Sequence, residues 1–433
     1  MIFNTFLPYL SAAFFFLSPL AVCSAINHIL GIPLSSLITC SIALSLLIIV
    51  FYNKIYFCID EFTKVVLICI ALPVLLSSTI VLLNIWLIDN ISYTKYVQDF
   101  FLFRFILNWA FYIIFIVVLL NIKKTPQGFA PKIINGYKWG VYFIVVLGIW
   151  QWANIYLGIP FLDIETRNLM HSISEKTDLL FVKRLTSLTD EPAYFVTLIV
   201  DCFIIGLLSP NRKRIKMGIC LLLLFFTFSL AGYVNLLIVL IAYMLKAKKN
   251  SKMFLGFGGL FLTLLLVAIY FYSDSGRLIF YPILGRIDGI AESARIQTII
   301  YSISSLFEYS PINILFGFGP ASRKFLSMVV TLPNGEFIDA TANNLFIDYL
   351  YEYGFVGFFS AAFCFIYLIR RTSHNLRINK NRFSLCAYLF TVHLSVTSLY
   401  RSEYASPRFW CLLILIGALS FVSNSGVKDL SDS

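Results

Sequence analysis

Residues 212–252 read RKRIKMGICLLLLFFTFSLAGYVNLLIVLIAYMLKAKKNSK, an apolar stretch over 215–246 with a basic cluster at each end. A single helix through it would place the two clusters on opposite faces of a membrane. Lys and Arg collect on the cytoplasmic side of membrane proteins, so both ends belong inside. The stretch must therefore cross twice, as two short spans joined near Ser229-Leu230-Ala231-Gly232. Gly232 suits the turn because glycine tolerates backbone angles that other residues avoid. Each arm reaches only about 23 Å, short of about 30 Å of hydrocarbon, so the bilayer thins there or the helices stay short.

The rest of the chain supports a membrane reading. Hydrophobic residues make up 59% and charged residues 13% of the 433, the latter about half the usual soluble share. Apolar runs near membrane-crossing length recur throughout, whereas a β-barrel would show short segments of alternating polarity. No soluble domain of 100 residues fits between the runs, so residues 1–433 are expected to form a single polytopic domain. The first apolar run lacks a basic n-region and a small-residue cleavage site, so no cleaved signal peptide is expected. Nine cysteines fall in or beside apolar runs without a CxxC pair, which reads as buried small hydrophobes rather than disulfides or a zinc site. The net charge of +11 is dispersed between spans, which argues against nucleic acid.

Spans are expected at 6–26, 33–51, 65–88, 99–121, 138–158, 192–208, 215–229, 231–246, 253–272, 343–369, 383–400 and 407–423. This is an all-α integral membrane protein with about 12 transmembrane helices and both termini cytoplasmic. The cytoplasmic segments then hold 20 of the 33 Lys and Arg but only 4 of the 22 Asp and Glu. Two periplasmic loops emerge, 159–191 and 273–342, the larger containing short helices.

Those loops carry the candidate chemistry. The first ends Lys183-Arg184-Leu-Thr-Ser-Leu-Thr-Asp190-Glu191-Pro192, with Pro192 at the first position of the next helix. Its carboxylates are either a cap facing the positive helix end or a functional acid beside a basic pair. The second carries Arg277, Arg286 and Arg295 on the face where basic residues are disfavoured. Arginine grips phosphate through a planar fork, and the phosphates at such a surface belong to lipids. Pairing with Asp274, Asp288 and Glu292 is the plainer alternative. Ile296, Ile299, Ile300, Ile303 and Phe307 recur at helical spacing, predicting an interfacial helix with Arg295 on its border. Inside or beside spans lie Arg104, Asp201, Asp348, Glu352, His393, Arg401 and Arg408; such groups usually face an interior cavity or pair with one another. His393 reads as a satisfied core residue.

Three segments resemble the bacterial O-antigen polymerase (Wzy) family, within the O-antigen polymerase and ligase superfamily. Arg184-x6-Glu191-Pro192 resembles the Arg…Glu-Pro motif before a span. Arg295 followed by Pro311 and Gly317-Phe-Gly319 is similar to the large periplasmic loop. Asn343-Asn344-Leu-Phe-Ile-Asp348-x5-Gly354-x2-Gly357 resembles the start of the following span, and Pro407-Arg-Phe-Trp410 the last. The family's Arg at the paired short helices is absent here. Ligases typically have His where Asn343 stands, which favours the polymerase.

The resemblance implies a metal-independent glycosyltransferase of lipopolysaccharide biosynthesis in the inner membrane. It would move a growing glycan from undecaprenyl pyrophosphate onto the terminal sugar of a lipid-linked repeat unit. No cofactor or nucleotide sugar is expected; the partners are the lipid-linked oligosaccharide, membrane lipid and a chain-length regulator. Arginines can stabilise the pyrophosphate leaving group, and a carboxylate can accept the acceptor hydroxyl's proton. The expected pyrophosphate ligands are Arg286 and Arg295, then Arg184, Arg277 and Arg401; Glu191 is the first choice of base, then Asp348. The alternatives are a lipid-linked oligosaccharide flippase, for which intramembrane charge is sparse, and an O-antigen ligase.

Overall fold

An uncharged run inside a bilayer has no water to bond, so it must satisfy its own amides by coiling. The computed structural model describes residues 2–23, 34–52, 59–87, 91–161, 185–189, 191–208, 213–246, 294–322, 328–331, 337–340 and 343–424. Its helices are α1 (Ile2–Leu20), α2 (Leu34–Tyr52), α3 (Glu61–Leu87), α4 (Ile91–Tyr96), a π-helical segment (Val97–Phe101), α5 (Leu102–Lys124) and α6 (Pro126–Leu157). Beyond these come α7 (Pro192–Leu208), α8 (Lys213–Phe226), α9 (Leu230–Lys246), α10 (Ala294–Leu306), α11 (Pro311–Phe316), α12 (Leu345–Asn379), α13 (Arg382–Tyr400) and α14 (Pro407–Asn424).

Among the described residues, six helices are long and apolar enough to cross a membrane: Glu61–Ile85, Tyr93–Lys124, Pro126–Leu157, Leu345–Asn379, Arg382–Tyr400 and Pro407–Asn424. Five apolar helices are shorter, including Pro192–Leu208 and Leu230–Lys246. The expected span 253–272 lies outside the described residues; the others fall on described helices. One departure from an all-α chain is a two-stranded antiparallel hairpin, β1 (Met328–Thr331) with β2 (Phe337–Ala340), which pairs Met328 with Ala340. Its strands are short and rich in β-branched or aromatic residues, and Pro-Asn-Gly lies between them in sequence.

The stretch 215–246 is divided into α8 and α9, but the break is not at the glycine. It falls at Thr227–Ser229, where Phe228 takes the left-handed conformation (φ 47). Gly232 lies inside α9, where an added Cβ would come within 2.6 Å of Val196 on α7. That glycine serves close helix packing, a need the sequence does not distinguish from a turn.

Of the six membrane-length helices among the described residues, α14 is the most enclosed. It packs against α1, α5, α6, α12 and α13. Trp410 anchors it, stacked on Phe111 with centroids 5.6 Å apart. Gly136-x3-Gly140 lets α6 meet α1 so closely that a Cβ at either position would strike the backbone of Ala12 or Phe16.

Candidate functional site

The chain enters α7 through a buried, non-helical segment. Leu185, Thr186, Ser187, Leu188 and Thr189 are all buried, although loops normally stay where water can serve their amides. Here the protein supplies the partners. Gln151 of α6 accepts from the Thr186 and Ser187 amides at 2.9 and 2.6 Å and donates to Thr186 Oγ1 at 3.2 Å. Ser187, at φ 56, donates to the Ile144 carbonyl at 2.9 Å, and the Leu185 amide donates to Phe226 at 3.1 Å. Thr189 Oγ1 donates to the Glu191 carbonyl at 2.9 Å, and that carbonyl also accepts the Tyr194 amide at 3.0 Å, opening α7 behind Pro192. Glu191 is thereby fixed at the helix's first turn.

About two and a half turns further along α7, at Asp201, lies a buried ionic cluster. Asp201 of α7, His393 of α13, Glu403, and Arg408 of α14 are all buried. Arg408 Nε and Nη2 reach Asp201 Oδ2 at 2.9 and 2.7 Å, and its Nη1 pairs with Glu403. Its Nη2 also lies 3.3 Å from the Thr197 carbonyl and 3.0 Å from His393 Nε2. Tyr137 donates to Asp201 Oδ2 at 2.7 Å. Asn235 donates to Thr397 Oγ1 at 3.1 Å and to Tyr400 at 2.8 Å, leaving its Oδ1, 3.1 Å from His393 Nδ1, as an acceptor. A ring protonated on Nδ1 satisfies both sides, donating to Asn235 and accepting from Arg408.

Arg401 closes the cluster. It pairs with Glu403 at 2.5 Å, donates to Thr197 Oγ1 at 3.2 Å and stacks over the Tyr194 ring at 3.5 Å. Two arginines thus dock on the first turns of α7 and balance two carboxylates. Arg401 and Glu191 are brought within one helical turn, through Tyr194.

The 401–407 connection also reaches a second polar group. Tyr404 hydrogen-bonds Glu352 of α12, and the Arg104 guanidinium lies 5.0 Å from its ring centroid. Arg104 and Glu352 therefore meet through a tyrosine. Helix α12 starts at Asn344, whose side chain caps the Phe346 and Ile347 amides at 2.9 and 3.3 Å and donates to the Leu399 carbonyl at 2.8 Å. Asn343, just before it, is left-handed (φ 47). Asp348 is buried in the first turn. The helix breaks at Gly354 (φ 64, ψ −164), where a Cβ would lie 2.3 Å from the Leu315 backbone; one at Gly317 would lie 2.3 Å from Glu352. Gly317 is thereby accounted for by backbone contact, and Gly319 by the Val81 and Tyr96 side chains, 2.3 and 2.8 Å from where its Cβ would lie.

Of the expected site residues, Glu191, Asp348 and Arg401 lie on this framework, and Arg295 sits in the first turn of α10. Arg184, Arg277 and Arg286 lie outside the described residues. Sequence reasoning treated Asp201, His393 and Arg408 singly and passed over Glu403 and Gln151. Opposite charges at the ends of neighbouring spans were the available signal for the first group; a lone Gln in an apolar run gives none.

Residues 216–362 match the O-antigen ligase family, Wzy_C. This bears out the resemblance to the O-antigen polymerase and ligase superfamily, whose members are membrane-bound and glycosyltransferase-like. The matched segment takes in Arg277, Arg286, Arg295, Asp348 and the Gly317–Gly354 contact, and it ends before His393, Arg401 and Arg408. Comparison with curated proteins gave no match.

Proposed function

We propose that this protein is an O-antigen polymerase. It transfers the growing glycan from undecaprenyl pyrophosphate onto the terminal sugar of a lipid-linked repeat unit, at the periplasmic face of the inner membrane. The family match supports the superfamily chemistry, and the residue before the α12 cap carries the choice within it. Asn343 stands where the ligases of the resemblance have His. A carboxamide cannot take up a proton at neutral pH, so the acceptor hydroxyl needs another base.

Glu191 is that base, or it positions the acceptor, with Asp348 second. Arg286, Arg295, Arg184 and Arg277 stabilise the charge that grows on the departing pyrophosphate. Arg401 already serves Glu403, Thr197 and Tyr194, so its part is to hold the first turns of α7.

Vesicles containing the purified protein and outward-facing lipid-linked repeat units test this. Chain growth without further additions is expected. Growth only after lipid A core is supplied would make the protein a ligase, and transbilayer movement of the units without growth would make it a flippase. Arg295→Ala is expected to abolish elongation at unchanged membrane abundance; wild-type chain lengths in that variant would remove Arg295 from the site.

A further inference from the structure

Helix α10 is amphipathic in the reverse sense of a helix bathed in water. Its buried side carries Thr298 (2% exposed), Ser305 and Leu306, while Ile300 (62%), Ile303 and Phe307 (58%) face outward. The hydroxyls on it are turned inward to the helix itself. Ser302 donates to the Thr298 carbonyl at 2.8 Å, Ser304 to Tyr301 at 3.0 Å and Ser305 to Ser302 at 3.3 Å. Ser304 is exposed yet bonds its own helix, as a hydroxyl does where water is scarce.

The outward face continues onto a membrane-spanning helix. Phe307 lies 6.4 Å from Phe355 on α12, and Phe355 stacks on Phe359 at 5.9 Å. Phe359 is 62% exposed on a helix of membrane-crossing length. An apolar ridge of Ile300, Ile303 and Phe307 runs from α10 onto the exposed aromatic side of that span.

The chain after α11 also sits deep. Ser77 of α3 donates to the Glu352 carbonyl at 2.7 Å, and a Cβ on Gly319 would lie 2.3 Å from Val81 of the same helix. Ser77 is ten residues from Leu87, about 15 Å along α3. Gly354, which meets Leu315, is nine residues into α12, about 14 Å from its start. Measured along the two helices, residues 315–320 pack about 9–15 Å in from their ends; at such a depth in a bilayer irregular backbone survives only if protein serves it. It is served: the Phe318 and Gly319 amides donate to Tyr351 and Glu352 at 3.2 and 3.0 Å. The Phe318 and Pro320 carbonyls accept from Tyr93 and Tyr96 at 2.9 and 2.6 Å.

We propose that residues 294–320 form a re-entrant element, with the outer face of α10 in contact with the acyl chains of the leaflet at the C-terminal end of α3. Thirteen residues give α10 about 20 Å, too short to cross, so it lies within that leaflet. The segment bearing Arg295 enters the membrane rather than standing off it. This stands apart from the glycan chemistry.

The test places p-benzoyl-phenylalanine at Ile300, Ile303 or Phe307 of the full chain in phosphatidylethanolamine–phosphatidylglycerol vesicles. Irradiation is expected to give protein–phospholipid adducts at a yield matching a probe at Phe359, and at least about tenfold above one at exposed Lys380 in the connection between α12 and α13. The Phe307 exchange keeps an aromatic ring and so guards against misfolding. Yields equal to the Lys380 control, or adducts to a second copy of the chain, would overturn the proposal.

Discussion

Replacing Arg408 by Met removes the hub of the buried cluster. Arg408 and Asp201 are fully enclosed, and Glu403 nearly so. The wild-type cluster holds two arginines and two carboxylates, so its charges balance. Without Arg408, Glu403 keeps Arg401 at 2.5 Å, but Asp201 loses its guanidinium partner and keeps only the Tyr137 hydroxyl as a donor, with His393 Nε2 at 3.2 Å. Breaking a buried pair from one side costs about 3–5 kcal/mol, roughly two to four powers of ten in the folding equilibrium. Adding Asp201→Asn restores the balance. The amide keeps an acceptor for Tyr137 and gives His393 Nε2 a donor in place of the guanidinium. The double variant is therefore expected to recover about half of the loss or more. The readout is built in: Cys202, Cys220, Cys386 and Cys411 are buried free thiols around the cluster. Their reaction with a fluorogenic maleimide follows unfolding against temperature or denaturant in detergent. If the double variant is as unstable as Arg408→Met alone, or if Arg408→Met melts like wild type, charge balance is not what holds the cluster together.

Gln151→Leu leaves the Thr186 and Ser187 amides without acceptors, at about 1–3 kcal/mol each. Gln151→Glu keeps the acceptors and should be milder, which the same thiol assay would rank. Gly354→Ala forces a side chain into a glycine-only backbone region at about 1–3 kcal/mol before the overlap with Leu315 is counted; a stably folded variant at wild-type yield would contradict the close crossing. Asn344→Ala removes the α12 cap and should cost about 1 kcal/mol, with faster hydrogen exchange at Phe346 and Ile347 as the local sign.

Helix positions were legible because one physical rule dominates them: apolar runs in a bilayer must coil. The expected spans on Pro192–Leu208 and Arg382–Tyr400 nearly coincide with the helices observed. The break in 215–246 was legible as a need, from charge alone, but its place was not. Phe228 takes the turn conformation and Gly232 the packing contact, and a glycine serves either purpose equally well in a sequence. Candidate residues stood out where charge broke a pattern, as Glu191 and Arg295 did. Contacts were unreadable where partners come from distant segments, as Gln151 does for Thr186 or Asp201 for Arg408.

By itself the sequence determined a helical, strongly apolar chain and a break within 215–246, because hydropathy and charge act on each segment alone. Only the tertiary structure decided that Arg401 and Arg408 are tied to carboxylates and to α7, and that the two glycines at 317 and 354 admit one backbone against another. It also decided that the apolar side of α10 faces outward. Periodicity fixes which residues share a helix face; which face meets protein depends on what the rest of the chain brings against it.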